Sequence, residues 1–361
     1  MRNKKKLISQ NGGIEAYQAH TKRKWLILLA LILLVFILAV LSVNAGAAAL
    51  NPIEVLKSIF GHGTELSSIV VWRIRMPRVV TAIIAGAGLS VAGCVMQNNL
   101  RNPLASPSTL GISNAAAFGA NVAIILFGAG SIQSSSADTV IINNPYMVTI
   151  TAFICAMGAT LIIIGLARLR GFTPEAIVLA GVALSSLFTA GTTIIQYFAQ
   201  DVQIAAAVFW TFGDLGRTSW SEVLILSVVV LGAIAYFVFR RWDYNALDNG
   251  EDCAKSLGVN TQRIRMGGMF ISSIITAVAV SFLGMIGFIG LIGPQIMRRV
   301  IGSDHRFLIP ASCLAGAALL LLSDTIGRVI ISPVILPVGA ITSLLGAPLF
   351  LYLLMRGHKR K

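Results

Sequence analysis

Long apolar runs constrain the fold of this chain more than any other feature. A helix that crosses a bilayer needs about 20 mostly apolar residues, because it must span roughly 30 Å of hydrocarbon. The sequence therefore predicts an all-α polytopic membrane protein with about ten transmembrane helices. The eighth run is short and contains Gly290, Gly293 and Pro294, so a weakened or broken helix is expected there. Allowing for Gly and Pro interruptions, the runs lie at about 25–43, 79–97, 109–128, 146–168, 175–199, 221–240, 266–284, 286–301, 309–327 and 338–355.

The composition excludes an ordinary soluble domain. Only 12% of the 361 residues are charged and the mean hydropathy is +0.82, whereas soluble domains carry about 25% charged residues. The net charge of +14 could suggest nucleic acid, but the basic residues stand at the ends of apolar runs, which is typical of membrane orientation. Cys94, Cys155, Cys253 and Cys313 share no short spacing, and we interpret them as packing residues rather than metal ligands or disulfides.

The Lys and Arg residues predict the orientation, because they prefer the cytoplasmic side. With the amino terminus inside, 22 of the 28 fall in cytoplasmic segments, including Arg168 and Arg170. Ten spans then place both termini in the cytoplasm. The segment 129–145 contains no Lys or Arg and is predicted to lie outside.

The two halves of the chain are alike in hydropathy, with five runs before the loop at 200–220 and five after it. Because five is odd, the second half would enter the membrane with opposite polarity, as in inverted-topology repeats. We divide the chain into a basic cytoplasmic leader (1–24), a ten-span domain (25–356) and a basic cytoplasmic tail (357–361). The run at 25–43 is long for the apolar region of a signal peptide, so an uncleaved anchor is predicted.

One polar segment, 240–265, holds nine charges between apolar runs. It predicts one short helix, with Asn249 or Asp248 as N-cap, Glu251 and Asp252 in the first turn, Lys255 near the end and Gly258 as the stop. Such a helix is too short to be stable alone in water, so we expect it to pack on a partner.

The chain carries no recognisable catalytic machinery of its own. It has no GxxxxGK[ST] phosphate loop, no HExxH and no paired-carboxylate constellation. The sequence predicts no enzyme activity, no metal site and no cofactor bound by this chain. We hypothesise that the 240–265 segment couples it to a separate ATP-hydrolysing protein, which would bind the ATP and Mg²⁺.

Two proline-containing turns are predicted on the cytoplasmic side. Pro103 and Pro107 prevent one continuous helix over 98–114. The residues Asn102, Pro103 and Leu104 form either a plain interhelical turn or a constriction at the inner mouth. The second turn, 171–175, includes Thr173 and Pro174 and would lie at the same mouth.

Arginines cluster where the second run begins, at Arg73, Arg75 and Arg78. They are either anchors whose charged ends reach the interface or an external basic patch, joined by Arg217 and Arg328, that binds carboxylates of a delivery protein. Asp324 and Arg328 are four residues apart and could pair. Ionisable residues are otherwise scarce in the runs, which disfavours a proton- or sodium-driven carrier.

Six stretches together resemble the FecCD-type permeases of ABC importers for iron-siderophores, haem and cobalamin, including the vitamin B12 importer permease. The resemblance implies a permease domain over 25–356 in the plasma or inner membrane of a prokaryote. It implies a dimer with a second copy or a paralogue, two ATP-binding subunits, an external substrate-binding protein and an iron chelate as cargo, with no nucleic acid. The stretches are RMPRVVTAIIAGAGLSVAGCVMQNNLRNPLASPSTLGIS (75–113), IVLAGVALS (177–185), VFWTFGDLGRTSW (208–220), LDNGEDCAKSLGVN (247–260), GFIGLIGPQIMRRVIGSDHRFLIP (287–310) and LPVGAITSLLGAPLFLYLLMR (336–356).

The resemblance also assigns site residues by position. Asn102, Pro103 and Leu104 match its inner gate, which Thr173 and Pro174 of the second turn would join. The family commonly has Val-Pro-His or Ala-Pro-His where this chain has Gly293-Pro294-Gln295, and often an acidic residue at Ser106. The matches to the binding-protein contact region are Arg73, Arg75, Arg78 and Arg328. The matches to the ATPase-coupling helices are Leu247, Asn249, Glu251, Asp252, Lys255, Leu257 and Gly258.

The predicted function is import of a ferric-siderophore-type chelate from an external binding protein by alternating access. Haem or cobalamin as cargo is the alternative with the same architecture. An ion-coupled secondary transporter and a purely structural membrane subunit are alternatives of other classes.

Overall fold

The computed structural model describes residues 2–46, 50–132, 140–142, 144–169 and 173–357. Arg170 of the Lys and Arg count, Gly171 and Phe172 of the second turn, much of the 129–145 segment and the last four residues of the tail lie outside the described residues.

The described chain is almost entirely helical, with a single two-stranded antiparallel hairpin formed by β1 (Gly130–Ile132) and β2 (Val140–Ile142). The first half contains α1 (Arg2–Asn44), α2 (Pro52–Ile59), α3 (Glu65–Ile69), α4 (Met76–Asn99), α5 (Ile112–Asn121), α6 (Pro145–Leu169), α7 (Pro174–Tyr197) and α8 (Asp201–Thr211). The second half contains α9 (Trp220–Phe239), α10 (Arg241–Asp248), α11 (Glu251–Ser256), α12 (Thr261–Leu283), α13 (Ile289–Ile301), α14 (His305–Val329) and α15 (Val338–Gly357).

Each of the ten predicted apolar runs coincides with a helix. Among the described residues, seven helices are long and apolar enough to cross a membrane, namely α1, α4, α6, α7, α9, α12 and α14. The other three runs form shorter apolar helices: α5 with its π-helical extension to Leu126, α13, and α15. The prediction of an all-α, ten-span fold is therefore confirmed.

The ten helices run alternately between two ends of the bundle. We name each end after one acid: the Asp248 end, where Asn98 contacts Asp248, and the Asp324 end, where Arg78 contacts Asp324. The first crossing, α1, runs toward the Asp324 end, whereas the sixth, α9, runs away from it. The two five-helix halves therefore have opposite polarity, as predicted.

Helix α4 is the centre of the fold, and α9, α12, α13 and α14 pack against it. Small residues permit this contact, because a Cβ atom at Gly86 would overlap the backbone of Gly316 and one at Gly93 would overlap the carbonyl of Gly290. Small residues at such contacts let helix backbones approach closely. Backbone contact at these two positions fixes α4 against α13 and α14.

The interruption of the eighth span lies earlier than the sequence suggested. Gly284 and Phe288 have φ of 78° and 65°, and α13 begins only at Ile289. Pro294 lies inside α13. Because proline lacks an N–H, it cannot bond to the Gly290 carbonyl four residues earlier, and the Gln97 side-chain amide donates to that carbonyl at 3.4 Å instead.

Candidate functional site

The polar segment 240–265 forms two short helices, α10 and α11, rather than the single helix that was predicted. Gly250, at φ 119°, separates them and is the N-cap of α11, so the assignment of Asn249 or Asp248 to that position is wrong. The first-turn acids Glu251 and Asp252 and the last-turn Lys255 are where they were predicted. Gly258, at φ 81°, follows the helix as the predicted stop.

The predicted coupling residues divide between a buried anchor and an exposed surface. Leu247 of α10 is buried in the core. Asn249, Asp252, Lys255, Leu257 and Gly258 are exposed, and the Leu257 side chain is 67% exposed. Leu257 is thus an exposed apolar side chain among charged and polar ones.

Glu251 connects α11 to the start of α12. Its carboxylate lies 3.3 Å from both Lys255 Nζ and Arg265 Nη2 and accepts a 3.4 Å hydrogen bond from the Thr261 hydroxyl. Partial burial acts to raise its pKa, but the Lys255 hydrogen bond and the charge of Arg265 outweigh burial and lower the pKa. Glu251 is therefore an anion that holds α11 in place.

Helix α10 is tied to the last turn of α4 by side chains that sequence reasoning missed. Asn98 Nδ2 donates to Asp248 Oδ1 at 2.6 Å and to the Tyr244 carbonyl at 3.3 Å. Asn99 Nδ2 donates to the Arg265 carbonyl at 3.2 Å. A polar Asn98-Asn99 pair that ends an apolar run was the available signal. Helices α10 and α11, the start of α12 and the end of α4 are thus joined as one unit.

A second set of contacts joins α10 to α14. Asn245 Nδ2 donates to Asp304 Oδ1 at 3.0 Å, and Asn245 Oδ1 accepts from the His305 backbone N–H at 2.8 Å. Asp304 also caps α14 and pairs with Arg306 at 2.7 Å. Burial acts to raise the pKa of Asp304, but hydrogen bonds from Arg306 and Asn245 outweigh it and lower the pKa to about 2.

The first predicted gate turn follows α4 directly. Asn102 Oδ1 accepts from the Leu104 backbone N–H at 2.9 Å, which closes a tight local turn. The Pro103 carbonyl accepts from Gln295 Nε2 at 3.1 Å, so α13 holds the turn. The Leu104 side chain is 44% exposed.

The structure brings the two gate turns together. Asn102 and Pro174 line the same cavity, of about 660 Å³, at the Asp248 end. Thr173 caps α7 by accepting from the Ala176 N–H at 3.4 Å. Their role as an inner gate stays a prediction, but their adjacency is established.

The predicted docking arginines have different surroundings. Arg73 is exposed, whereas Arg75, Arg78 and Arg328 are each at most 6% exposed. Arg75 Nη1 donates to the carbonyl of Val43 at 2.8 Å. Their burial means that only Arg73 of these four presents its charge to solvent.

Asp324 organises the buried arginines. It is fully buried and pairs with Arg328 Nε at 3.0 Å, as predicted, and with Arg78 Nε at 2.8 Å, which sequence reasoning missed. Arg78 also lies 3.3 Å from Asp214, and Arg328 donates to the Ala45 carbonyl at 2.7 Å. This network joins α1, α4 and α14 at the Asp324 end.

Comparisons with known proteins agree with this architecture. The model of the FecCD transport family matches residues 31–356. An ABC transporter permease protein of Methanocaldococcus jannaschii is 53% identical over 96% of this chain and 99% of its own length. The hemin transport system permease protein of Yersinia pestis is 35% identical over 92% of this chain and 96% of its own length. A solved structure of an inward-facing metal-chelate type ABC transporter superposes with a TM-score of 0.79 at 30% identity, covering 91% of this chain and 99% of that one.

Proposed function

We propose that this chain, which belongs to the FecCD transport family, is the membrane-spanning permease subunit of an ATP-driven importer. The observation that carries the proposal is the link from α11 to the inner turn. An exposed α11 is joined through α10 to Asn98, and Asn98 lies four residues before Asn102. A force applied to α11 from outside the membrane therefore acts on the turn at the mouth of the bundle.

The proposed cycle is alternating access between two copies of this chain, or this chain and a paralogue. ATP binding would draw two partner ATPases together and press on α10 and α11 of each permease. The spans that carry the inner turns would then tilt, so that one mouth closes as the other opens. This chain supplies the conduit and the transmission, and the partner supplies the free energy.

The proposed cargo is a ferric-siderophore-type iron chelate delivered by an external binding protein. The metal-chelate transporter structure supports a metal chelate as cargo, whereas the hemin transport relative supports the haem alternative. Haem or cobalamin is the alternative cargo on the same architecture. At the Asp324 end, the exposed Arg73 is the residue we propose to contact the binding protein, while Arg75, Arg78 and Arg328 would shape that surface from inside.

A secondary carrier is disfavoured by the state of Asp324. A proton-coupled carrier needs a buried carboxylate that can release and regain a proton. Asp324 is fully buried, and its carboxylate is paired with Arg78 Nε at 2.8 Å and with Arg328 Nε at 3.0 Å, so it belongs to a structural ion-pair network between helices.

The test is uptake of radioactive ferric chelate by proteoliposomes that contain this chain, its ATPase and its binding protein. Uptake should require ATP, and the double variant Glu251→Ala, Asp252→Ala should hydrolyse ATP with little uptake. Gln262→Ala, an exposed change nearby, should behave as wild type. Uptake by the chain alone that a protonophore abolishes would overturn the proposal in favour of a secondary carrier.

A further inference from the structure

A polar cavity lies at the Asp248 end, beside the contacts between α4 and α10 described above. Its volume is about 340 Å³, and it lies between the last turn of α4, the inner turn, the end of α10 and α13. Membrane-protein interiors are expected to contain few charges, and those present are expected to pair. The residues that line this cavity are Gln97, Asn98, Arg101, Pro103, Asp248, Gln295 and Arg298.

The guanidinium groups of Arg101 and Arg298 make few and long hydrogen bonds to other protein groups. Arg298 Nη1 approaches Asp248 Oδ2 only to 4.0 Å, and Arg298 Nη2 is buried with no hydrogen-bond partner. Arg101 Nη2 reaches the Leu247 carbonyl at 3.5 Å, the outer limit of a hydrogen bond. Planar guanidinium donors left in this state are suited to a carboxylate or phosphate group, which they can bind in bidentate geometry.

Arg101 also has an unusual backbone conformation. Its φ of 46° lies in the left-handed region that non-glycine residues rarely adopt. Strained residues persist where the surrounding structure requires a particular placement, and they cluster at ligand sites. Here the conformation turns the chain between the end of α4 and Asn102, and Arg101 lines both this cavity and the larger cavity between the gate turns.

The charge balance of the cavity favours an anion. Arg101 and Arg298 face a single acid, Asp248, among the described lining residues. That carboxylate already accepts the 2.6 Å hydrogen bond from Asn98. A concave site with excess positive charge concentrates anions from solution.

We propose that this cavity is a binding site for small molecules bearing a carboxylate or phosphate group, with Arg101 and Arg298 as its binding residues. The site is defined by the cavity alone, and only its position on the release route rests on the proposed function. A ligand held between the two arginines would connect α13 to the inner turn. It could be an acidic group of the departing chelate or an anion of the cytoplasm, since both offer the same oxyanion chemistry.

Substitution of Asp248 should strengthen anion binding, whereas substitution of either arginine should weaken it. The Asp248 carboxylate competes with the ligand for Arg298 and repels the ligand's charge. Asp248→Asn removes that charge while its side-chain oxygen can still accept from Asn98. Anion binding should therefore tighten in this variant, and a misfolded protein cannot produce a gain of affinity.

The experiment measures citrate and inorganic phosphate binding to the full chain in nanodiscs of neutral lipid, by calorimetry at constant ionic strength. Arg101→Gln and Arg298→Gln should each weaken binding about tenfold or more, because each removes charge-assisted hydrogen bonds. Asp248→Asn should strengthen it several-fold. Arg263→Gln, which removes an exposed arginine near α11 outside the cavity, should leave it unchanged.

The results separate the site from its alternatives. Absence of citrate and phosphate binding by the wild-type chain, or equal weakening by Arg263→Gln, would overturn the proposal. Tighter binding of ferric citrate than of citrate would support a site for the departing chelate, and tighter binding of phosphate would support a cytoplasmic anion. Because the assay contains no ATPase and measures no uptake, its failure leaves the transport proposal standing, and failed uptake leaves the anion site standing.

Discussion

Asn98 is the side chain through which α10 holds the end of α4, and its truncation gives the sharpest test of the transmission. Asn98→Ala removes a 2.6 Å hydrogen bond to the charged Asp248 and a 3.3 Å bond to the Tyr244 carbonyl. A hydrogen bond to a charged group contributes about 1.5–3 kcal/mol and a neutral one about 0.5–1.5 kcal/mol. The link should therefore weaken by roughly 2–4 kcal/mol, allowing for the non-additivity of neighbouring bonds.

A loss of this size should change coupling more than folding. A change of about 1.4 kcal/mol corresponds to a factor of ten in an equilibrium constant. The number of chelate molecules imported per ATP hydrolysed should fall at least about tenfold in Asn98→Ala. The assay is simultaneous measurement of uptake and phosphate release in proteoliposomes that contain the whole transporter.

The control separates loss of coupling from loss of the protein. Gln262→Ala alters an exposed amide at the same end and should retain wild-type stoichiometry. Thermal unfolding should show that Asn98→Ala remains folded at the assay temperature. Wild-type uptake per ATP in a folded Asn98→Ala protein would refute the claim that force passes through this contact.

Three further predictions follow from charged groups elsewhere in the structure. Asp324→Asn removes the anion that two buried guanidiniums share, although Arg78 keeps Asp214 at 3.3 Å. It should therefore destabilise the chain by about 3–5 kcal/mol, and an unchanged melting temperature in detergent would contradict the buried network. Arg73→Glu should weaken association with the external binding protein at low salt and have a smaller effect at high salt, because exposed charges are screened; equal affinity at both salt concentrations would remove Arg73 from the interface. The pKa of Asp304 is lowered to about 2 in the folded chain, whereas an unfolded aspartate has a pKa of about 3.9. The ionised Asp304 therefore stabilises the fold fully above the unfolded-state pKa, and this stabilisation is lost as pH falls through about 2. Asp304→Asn should therefore lower stability at pH 6 and reduce the loss of stability between pH 4 and 2, as followed by tryptophan fluorescence.

The ten spans could be read from the sequence because each is decided by its own residues. A backbone in hydrocarbon must satisfy its hydrogen bonds within the segment, so a long apolar run has little choice but to form a helix. The same local reasoning located Gly258 as the end of α11, since a left-handed residue there suits glycine. Local reasoning failed at α10, because this short helix buries Tyr244, Ala246 and Leu247 in the core, and a helix of that length depends on tertiary packing for its stability.

The inner turns were predicted only in part. Proline placement showed that the chain must bend near Asn102 and Thr173. It could not show that Gln295, almost 200 residues away, would hold the Pro103 carbonyl. Nor could it show that Arg101 and Arg298 would face one cavity.

The sequence by itself determined how many times the chain crosses the membrane, the opposite polarity of its two halves and the polar segment that a partner could contact. Tertiary structure alone decided which charges remain available to partners. Arg73, Arg75 and Arg78 are the same residue type within one short stretch of sequence. In the structure, however, Arg78 pairs with Asp324, 246 residues away, while Arg73 is exposed. The physical reason is that the free energy of moving an apolar segment from water into the bilayer depends on the residues of that segment alone. The pairing of a buried charge instead depends on which distant side chains the packed helices bring within about 3 Å of it.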